Sequence, residues 1–256
     1  MNPFRYRAVI EADHEIQNPL SPAKLQRVID YLRPADGERV LDVGCGKGWL
    51  LAAVAGQARV DAIGLELNPA FAAAARRRLA EAPLLGKARI VEGPALDYDI
   101  GAGGFDIALC IGATFAFDGL APTLERLVAA VGPGGRVAVG EPFLRASASP
   151  AVRARWPEYD RNLPQIGALI AACGLTLTGM VASSEADWDH YESQHWRAAE
   201  AWMRDHPDDP DAPWLAERMD ADRRDYLAEE RDEFGWAVFV AHTDFAPNRH
   251  SPTASR

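Results

Sequence analysis

The chain has 256 residues, of which 48% are hydrophobic and 25% charged. That is globular composition, and it excludes collagen-like, low-complexity and disordered classes for the bulk of the chain. The net charge of −10 is unevenly spread: residues 185–233 carry 17 acidic and 6 basic residues, which leaves the remainder close to neutral. A phosphate backbone is repelled by such a segment, so no nucleic acid is expected as a partner. No apolar run approaches the roughly 18 residues that span a bilayer, so no membrane segment is expected. The N-terminal MNPFRYRAVIEADHE has no apolar stretch of signal-peptide type. Cys45, Cys110 and Cys173 are too few and too scattered for a disulfide framework or a zinc site. Reduced thiols, a cytoplasmic location and no metal follow as expectations.

In chain order, the first clear element is a helix over 21–32, SPAKLQRVIDYL, with Ser21 as cap and Pro22 at its first position. RVLDV (39–43) is a short apolar strand that runs into glycines, followed by a helix pattern over 49–55. RVDAIGLEL (59–67) reads as the second strand. A helix over 69–82 follows, with Asn68 capping and Pro69 leading. ARIVE (88–92), FDIALCIG (105–112) and GRVAVGEPF (135–143) are the next strands, with a helix over 120–131 before the last of them. Residues 144–162 read as irregular. A helix over 163–173 ends at Gly174 and leads into a strand over 175–183. Two acidic helices, 187–205 and 212–233, precede a final strand over 235–243, and 246–256 reads as a disordered tail. Strands that are continuously apolar and alternate with helices predict a parallel sheet covered on both faces.

The strongest local signal is Val40-Leu41-Asp42-Val43-Gly44-Cys45-Gly46-Lys47-Gly48. A strand enters a glycine turn and a helix leaves it, so unpaired N–H groups face a ligand that can approach closely. The spacing is G-x-G-x-G, one residue short of the dinucleotide fingerprint. Glu66, 18 residues beyond Gly48, sits where a carboxylate accepts from ribose hydroxyls. On the residues alone, a nicotinamide-dependent oxidoreductase and an inactive protein that acts through partners both remain open. Lys47 reads as a solvated side chain.

These residues resemble the class I (Rossmann-like) S-adenosylmethionine-dependent methyltransferases. VLDVGCGKG is similar to that family's first motif, GLELNP to its acidic ribose position, and FDIALCIGA and VGPGGRVAVGE to its fourth and fifth strands. The Asn-Pro-Leu-Ser helix start and the Asp-Trp-Asp-x-Tyr-Glu segment are similar to those of little-characterised bacterial members. The resemblance implies an α/β fold: a seven-stranded, mostly parallel, doubly wound sheet with an N-terminal helix and a two-helix insertion before the last strand. It implies one domain over 1–245, made of a helical cover (1–34), a cofactor-binding core (35–143) and an acceptor-site insertion (185–233). It also implies a methyltransferase that uses S-adenosyl-L-methionine and releases S-adenosyl-L-homocysteine.

Residue by residue, the resemblance implies Asp42, Gly44, Cys45 and Gly46 around the methionine part, Glu66 on the ribose, and Leu67, Ala95 and Leu96 at the adenine. Ile111 then offers a carbonyl to the methionine amine, and His14 and Asn18 contact the cofactor from the N-terminal segment. Gly93-Pro94-Ala95 departs from the usual Gly-Asp-Ala, which leaves Asp97 as the substitute carboxylate. The proline-rich signature of amino-methylating nucleic-acid enzymes is absent after the fourth strand, so the expected acceptor is an O or N atom of a small molecule. Along DWDHYESQHWRAAEAW, Trp188, Tyr191, His195, Ala199 and Trp202 share one helical face. Tyr191 and His195 on that face, and Glu141 where the fifth strand ends at the active edge, are the candidate catalytic residues. Phe115, Phe143 and Trp188, with Phe117, are the candidate pocket walls.

Overall fold

The structure, a computed structural model, describes residues 1–244; the segment 246–256 lies outside the described residues. Seven strands form one sheet: β1 (Arg39–Val43), β2 (Asp61–Glu66), β3 (Lys87–Glu92), β4 (Phe105–Ile111), β5 (Val131–Leu144), β6 (Leu175–Ala182) and β7 (Phe234–Thr243). Their order is β3-β2-β1-β4-β5-β7-β6. β1 to β5 run parallel, and β7 is antiparallel between β5 and β6. The chain winds outward in one direction from β1 and in the other from β4, so a crevice opens where their carboxyl ends diverge. The fold class read from the sequence is the one found.

The helices are α1 (Pro3–Ile10), α2 (Pro22–Leu32), α3 (Trp49–Gln57), α4 (Pro69–Glu81), α5 (Leu120–Ala130), α6 (Pro150–Arg155), α7 (Leu163–Ala172), α8 (Glu185–Asp205) and α9 (Ala212–Asp225). Local chemistry starts most of them. Ser21 accepts from the Lys24 N–H and Asn68 from the Ala70 N–H, each with proline at the first helical position. One apolar layer joins Leu124 and Leu127 of α5 and Ile166 and Ile170 of α7 to one sheet face. The other joins Leu25, Val28 and Ile29 of α2 and Leu51 and Val54 of α3 to the opposite face.

Three elements differ from the sequence reading. α1 is not signalled by periodicity, because its apolar face is completed elsewhere: Val9 and Ile10 pack against Ala199 of α8 and Leu215 and Met219 of α9. The 144–162 stretch contains α6, capped by Ser149. The last acidic helix is interrupted by a wide π turn over Tyr226–Glu230 and closes with a single turn, Arg231–Glu233. The Tyr226 hydroxyl (2.6 Å) and the Arg231 guanidinium (2.8 Å) both donate to Asp189 there, a tertiary anchor that no local pattern encodes. No described helix is long and apolar enough to cross a membrane.

Candidate active site at the carboxyl edge of the sheet

β1 delivers the chain into a loop where Gly44, Gly46 and Gly48 all have positive φ, at 67°, 56° and 74°. A Cβ on Gly44 would clash with Ala113, and one on Gly46 would lie 2.5 Å from Gln17 Oε1. Glycine is therefore required twice over, for backbone conformation and for space. We expect Gly44→Ala to lower the unfolding free energy by about 2–4 kcal/mol, from left-handed strain plus the clash. Urea unfolding checks this, and an unchanged midpoint would contradict it.

Glu66, at the end of β2, is buried and accepts from two backbone amides: Gly46 N–H at 2.8 Å and Asn68 N–H at 2.7 Å. Burial pushes its carboxyl up, and those amides pull it back. Each carboxylate oxygen keeps lone-pair capacity for a further donor. The N-terminal segment is fastened over the same loop. Lys47 Nζ donates to the carbonyls of Glu11 (2.6 Å), Ala12 (2.9 Å) and His14 (2.8 Å). Gln17 accepts from the Lys47 N–H (2.9 Å) and donates to the His14 carbonyl (3.0 Å). Lys47 is thus a clamp on three carbonyls rather than a solvated side chain.

A cleft of about 840 Å³ opens along this edge. Gly44, Gly46, Glu66, Leu67, Ala95, Leu96, Ile111 and Asn18 line it toward β1–β3. Glu141, Phe115, Trp188, Tyr191 and His195 line it toward β5 and α8. Leu67, Leu96 and Phe115 are exposed apolar side chains on its wall, with Phe115 at 72%. The site chemistry fits an adenosine-bearing sulfonium: a buried carboxylate for ribose hydroxyls, a glycine cradle that no Cβ could share, and exposed apolar side chains for a flat base.

Six expected site residues do not line this cleft. Asp42 and Cys45 line a small recess of about 40 Å³ that adjoins the cleft and shares Gln17, Asn18, Gly44, Gly46 and Ile111 with it. Burial and the nearby Glu66 push the Asp42 carboxyl up to about 7. The Cys45 thiol lies against Gly64 of β2, where a Cβ would come within 2.6 Å of it, and it is a buried filler. Phe143 belongs to the core and packs over Gly235. His14 is set back under α8, where its Nε2 donates to the Tyr191 carbonyl (3.0 Å) and its ring lies 4.5 Å from that of His195. Burial and the neighbouring His195 push the His14 imidazole down to about 3, so it is neutral. Phe117 is likewise core. Asp97 is not on the cleft wall; Pro94 is.

Along α8 the shared face divides. Trp188, Tyr191 and His195 face the cleft, whereas Ala199 and Trp202 pack with α1 and α9. Glu141, 6% exposed, accepts from the Thr114 hydroxyl at 2.9 Å, and burial pushes its carboxyl up to about 7. The cleft also holds residues that sequence reasoning missed: Arg7, Glu11, Gln17, Thr114, Trp156, Tyr159 and Glu230. None has a motif, and only their convergence from distant elements gives them a role.

A family profile described as "Methyltransferase domain" matches residues 40–135. The crystal structure of an S-adenosylmethionine-dependent methyltransferase from Geobacter sulfurreducens, in complex with S-adenosyl-L-homocysteine, is similar at 30% identity and a TM-score of 0.83. The match covers 93% of this chain and 97% of that one. The chain belongs to the class I S-adenosylmethionine-dependent methyltransferases. It is an enzyme of that class, with S-adenosyl-L-methionine as cofactor. This sets aside the oxidoreductase and inactive-protein readings. The chain is also 28% identical to the uncharacterized protein YjhP of Escherichia coli over 92% of its own length and 97% of that protein's. It is 28% identical to the aklanonic acid methyltransferase DauC of a Streptomyces species over 55% of its length and 63% of that enzyme's.

Proposed function

We propose that this methyltransferase acts in the cytoplasm on a nucleophilic oxygen or nitrogen atom of a small molecule, by in-line displacement. The observation that carries the reading is the single cleft that runs from the glycine loop and Glu66 to Glu141, Tyr191 and His195. Its volume lies in the range of small-ligand sites rather than of open macromolecular surfaces. The similarity to an enzyme named for aklanonic acid, a small molecule, supports it.

When bound, the sulfonium cofactor supplies an activated methyl group, so the protein's task is mainly alignment. In this reading, Glu66 accepts from the ribose hydroxyls, while Leu67, Ala95 and Leu96 flank the adenine. Asn18, Gly44, Gly46 and the Ile111 carbonyl meet the methionine end. Tyr191 and His195 orient the acceptor, and Glu141, held by Thr114, takes its proton. The chain then works as one domain over 1–245, with 1–34 as cover, 35–143 as cofactor-binding core and 185–233 as the acceptor-site insertion.

Glu141→Gln is expected to lower kcat by about 10²-fold near pH 7, with the KM for S-adenosylmethionine within a factor of about two. The test is transfer of a labelled methyl group to a metabolite extract, followed by size separation. Label in the fraction below about 1 kDa supports the reading. Label confined to protein or nucleic acid overturns it.

A further inference from the structure

The acceptor end of the cleft has an unbalanced charge. Glu11, Glu141, Glu192 and Glu230 all line it, and Arg7 is the one lysine or arginine on its wall among the described residues. Arg7 is matched by Glu11 at 3.1 Å. Glu192 meets the His195 ring at 3.3 Å, and no arginine or lysine contacts Glu141 or Glu230 among the described residues. Arg161 and Arg155 act on Glu141 and Glu230 only through longer-range attraction, and Arg155 is already bound to Asp225 and Glu229.

Two side chains more than nine-tenths buried on this wall carry polar atoms without partners: Glu11 Oε2 and His195 Nε2. His195 lies between two carboxylates, with Nδ1 3.3 Å from Glu192 and Nε2 3.9 Å from Glu11. The wall therefore presents an unmet acceptor, Glu11 Oε2, beside unmet negative charge. Its third unmet atom there is a donor, Trp156 Nε1, which suits one neutral oxygen on the same ligand. Trp156, Tyr159 and Trp188 cluster around Phe234 and line the cleft, and the Arg155 guanidinium already lies 5.8 Å from the Trp156 ring.

We propose that the methyl acceptor is an amine, held as its ammonium ion among Glu141, Glu192 and Glu230 and against Trp156, Tyr159 and Trp188. This rests on the reading of the cleft as a small-molecule methyltransferase site. Burial pushes Glu141 up to about 7, and burial with the neighbouring Glu192 pushes Glu230 up to about 7, so either carboxylate can take a proton from the ammonium ion. The freed nitrogen lone pair then forms the N–C bond to the methyl group. The C–S bond breaks, and its electron pair stays on sulfur. The product nitrogen carries the positive charge, and the carboxylic acid returns its proton to solvent. A carboxylate or phosphate acceptor is repelled by the same wall.

The probe is choline, a permanent cation, compared with its uncharged carbon isostere 3,3-dimethyl-1-butanol. Each is titrated calorimetrically into protein saturated with S-adenosylhomocysteine. The expected result is choline binding at least tenfold tighter than the isostere, and about tenfold weaker in Glu230→Gln. Equal binding of the two probes, or binding of neither while S-adenosylhomocysteine stays bound, overturns the amine assignment. A labelling arm separates the two readings. Labelled small product retained on a cation exchanger supports the amine. Labelled small product that is neutral or anionic overturns the amine and leaves small-molecule transfer standing. Label only in macromolecules removes both.

Discussion

Glu66→Ala is expected to weaken S-adenosylhomocysteine binding by about 1–3 kcal/mol, or roughly 5- to 150-fold in Kd. The physical basis is a carboxylate that is buried yet faces the cleft, so the hydrogen bonds it accepts there are charge-assisted and poorly screened. The same carboxylate holds the Gly46 and Asn68 amides, so its loss leaves two donors unmatched and loosens the loop. Calorimetric titration and urea unfolding on one preparation separate the two effects. A fall in stability with an unchanged Kd would show that Glu66 only shapes the loop and does not hold ribose.

Stability of the ligand-free protein should fall as pH rises from about 5 to 8. Asp42, Glu141 and Glu230 are each pushed up to about 7, mainly by burial, from ordinary values near 4. The folded chain therefore keeps protons that the unfolded chain has released. The stability these groups contribute is complete below about pH 4 and is lost as pH rises through 7. His14 works in the opposite sense. Its imidazole, pushed down to about 3, takes stability away as pH falls from about 6.5 toward 3. The maximum thus lies in the mildly acidic range.

Asp42→Asn removes the most deeply buried of these carboxyls. It should raise the unfolding free energy by on the order of 2 kcal/mol more at pH 8 than at pH 5. Urea midpoints at the two pH values test this. An equal effect at both would mean that Asp42 is not the titrating group.

The glycine loop illustrates what was legible in the sequence. Gly44, Gly46 and Gly48 are demanded by backbone conformation and close approach, both local properties, and Glu66 follows at a strand end that its apolar run marks. The capped helix starts at Ser21 and Asn68 are local for the same reason. Tyr191 and His195 were legible as a helical face, because 3.6-residue periodicity groups them before anything packs on them. The place of His14 under α8 is not legible in sequence, because it depends on the Lys47 clamp and the Tyr191 carbonyl, 33 and 177 residues away in the chain. Phe143 and Phe115 look alike in sequence, yet one fills the space over Gly235 and the other stands exposed in the cleft. Glu11, Glu230, Trp156 and Tyr159 gave no signal, since each is an ordinary surface-type residue until the chain brings α1, the 144–162 stretch and the π turn to one edge.

The sequence by itself determined the strands, most helix starts and the glycine loop, because each depends on backbone conformation and apolar runs within a short window; the class of enzyme was legible only as a family resemblance of those motifs. Only the tertiary structure decided which carboxylates and aromatics share the acceptor end of the cleft. Burial, unmatched charge and proton affinity belong to the neighbours a side chain acquires across the fold, and no local spacing carries them.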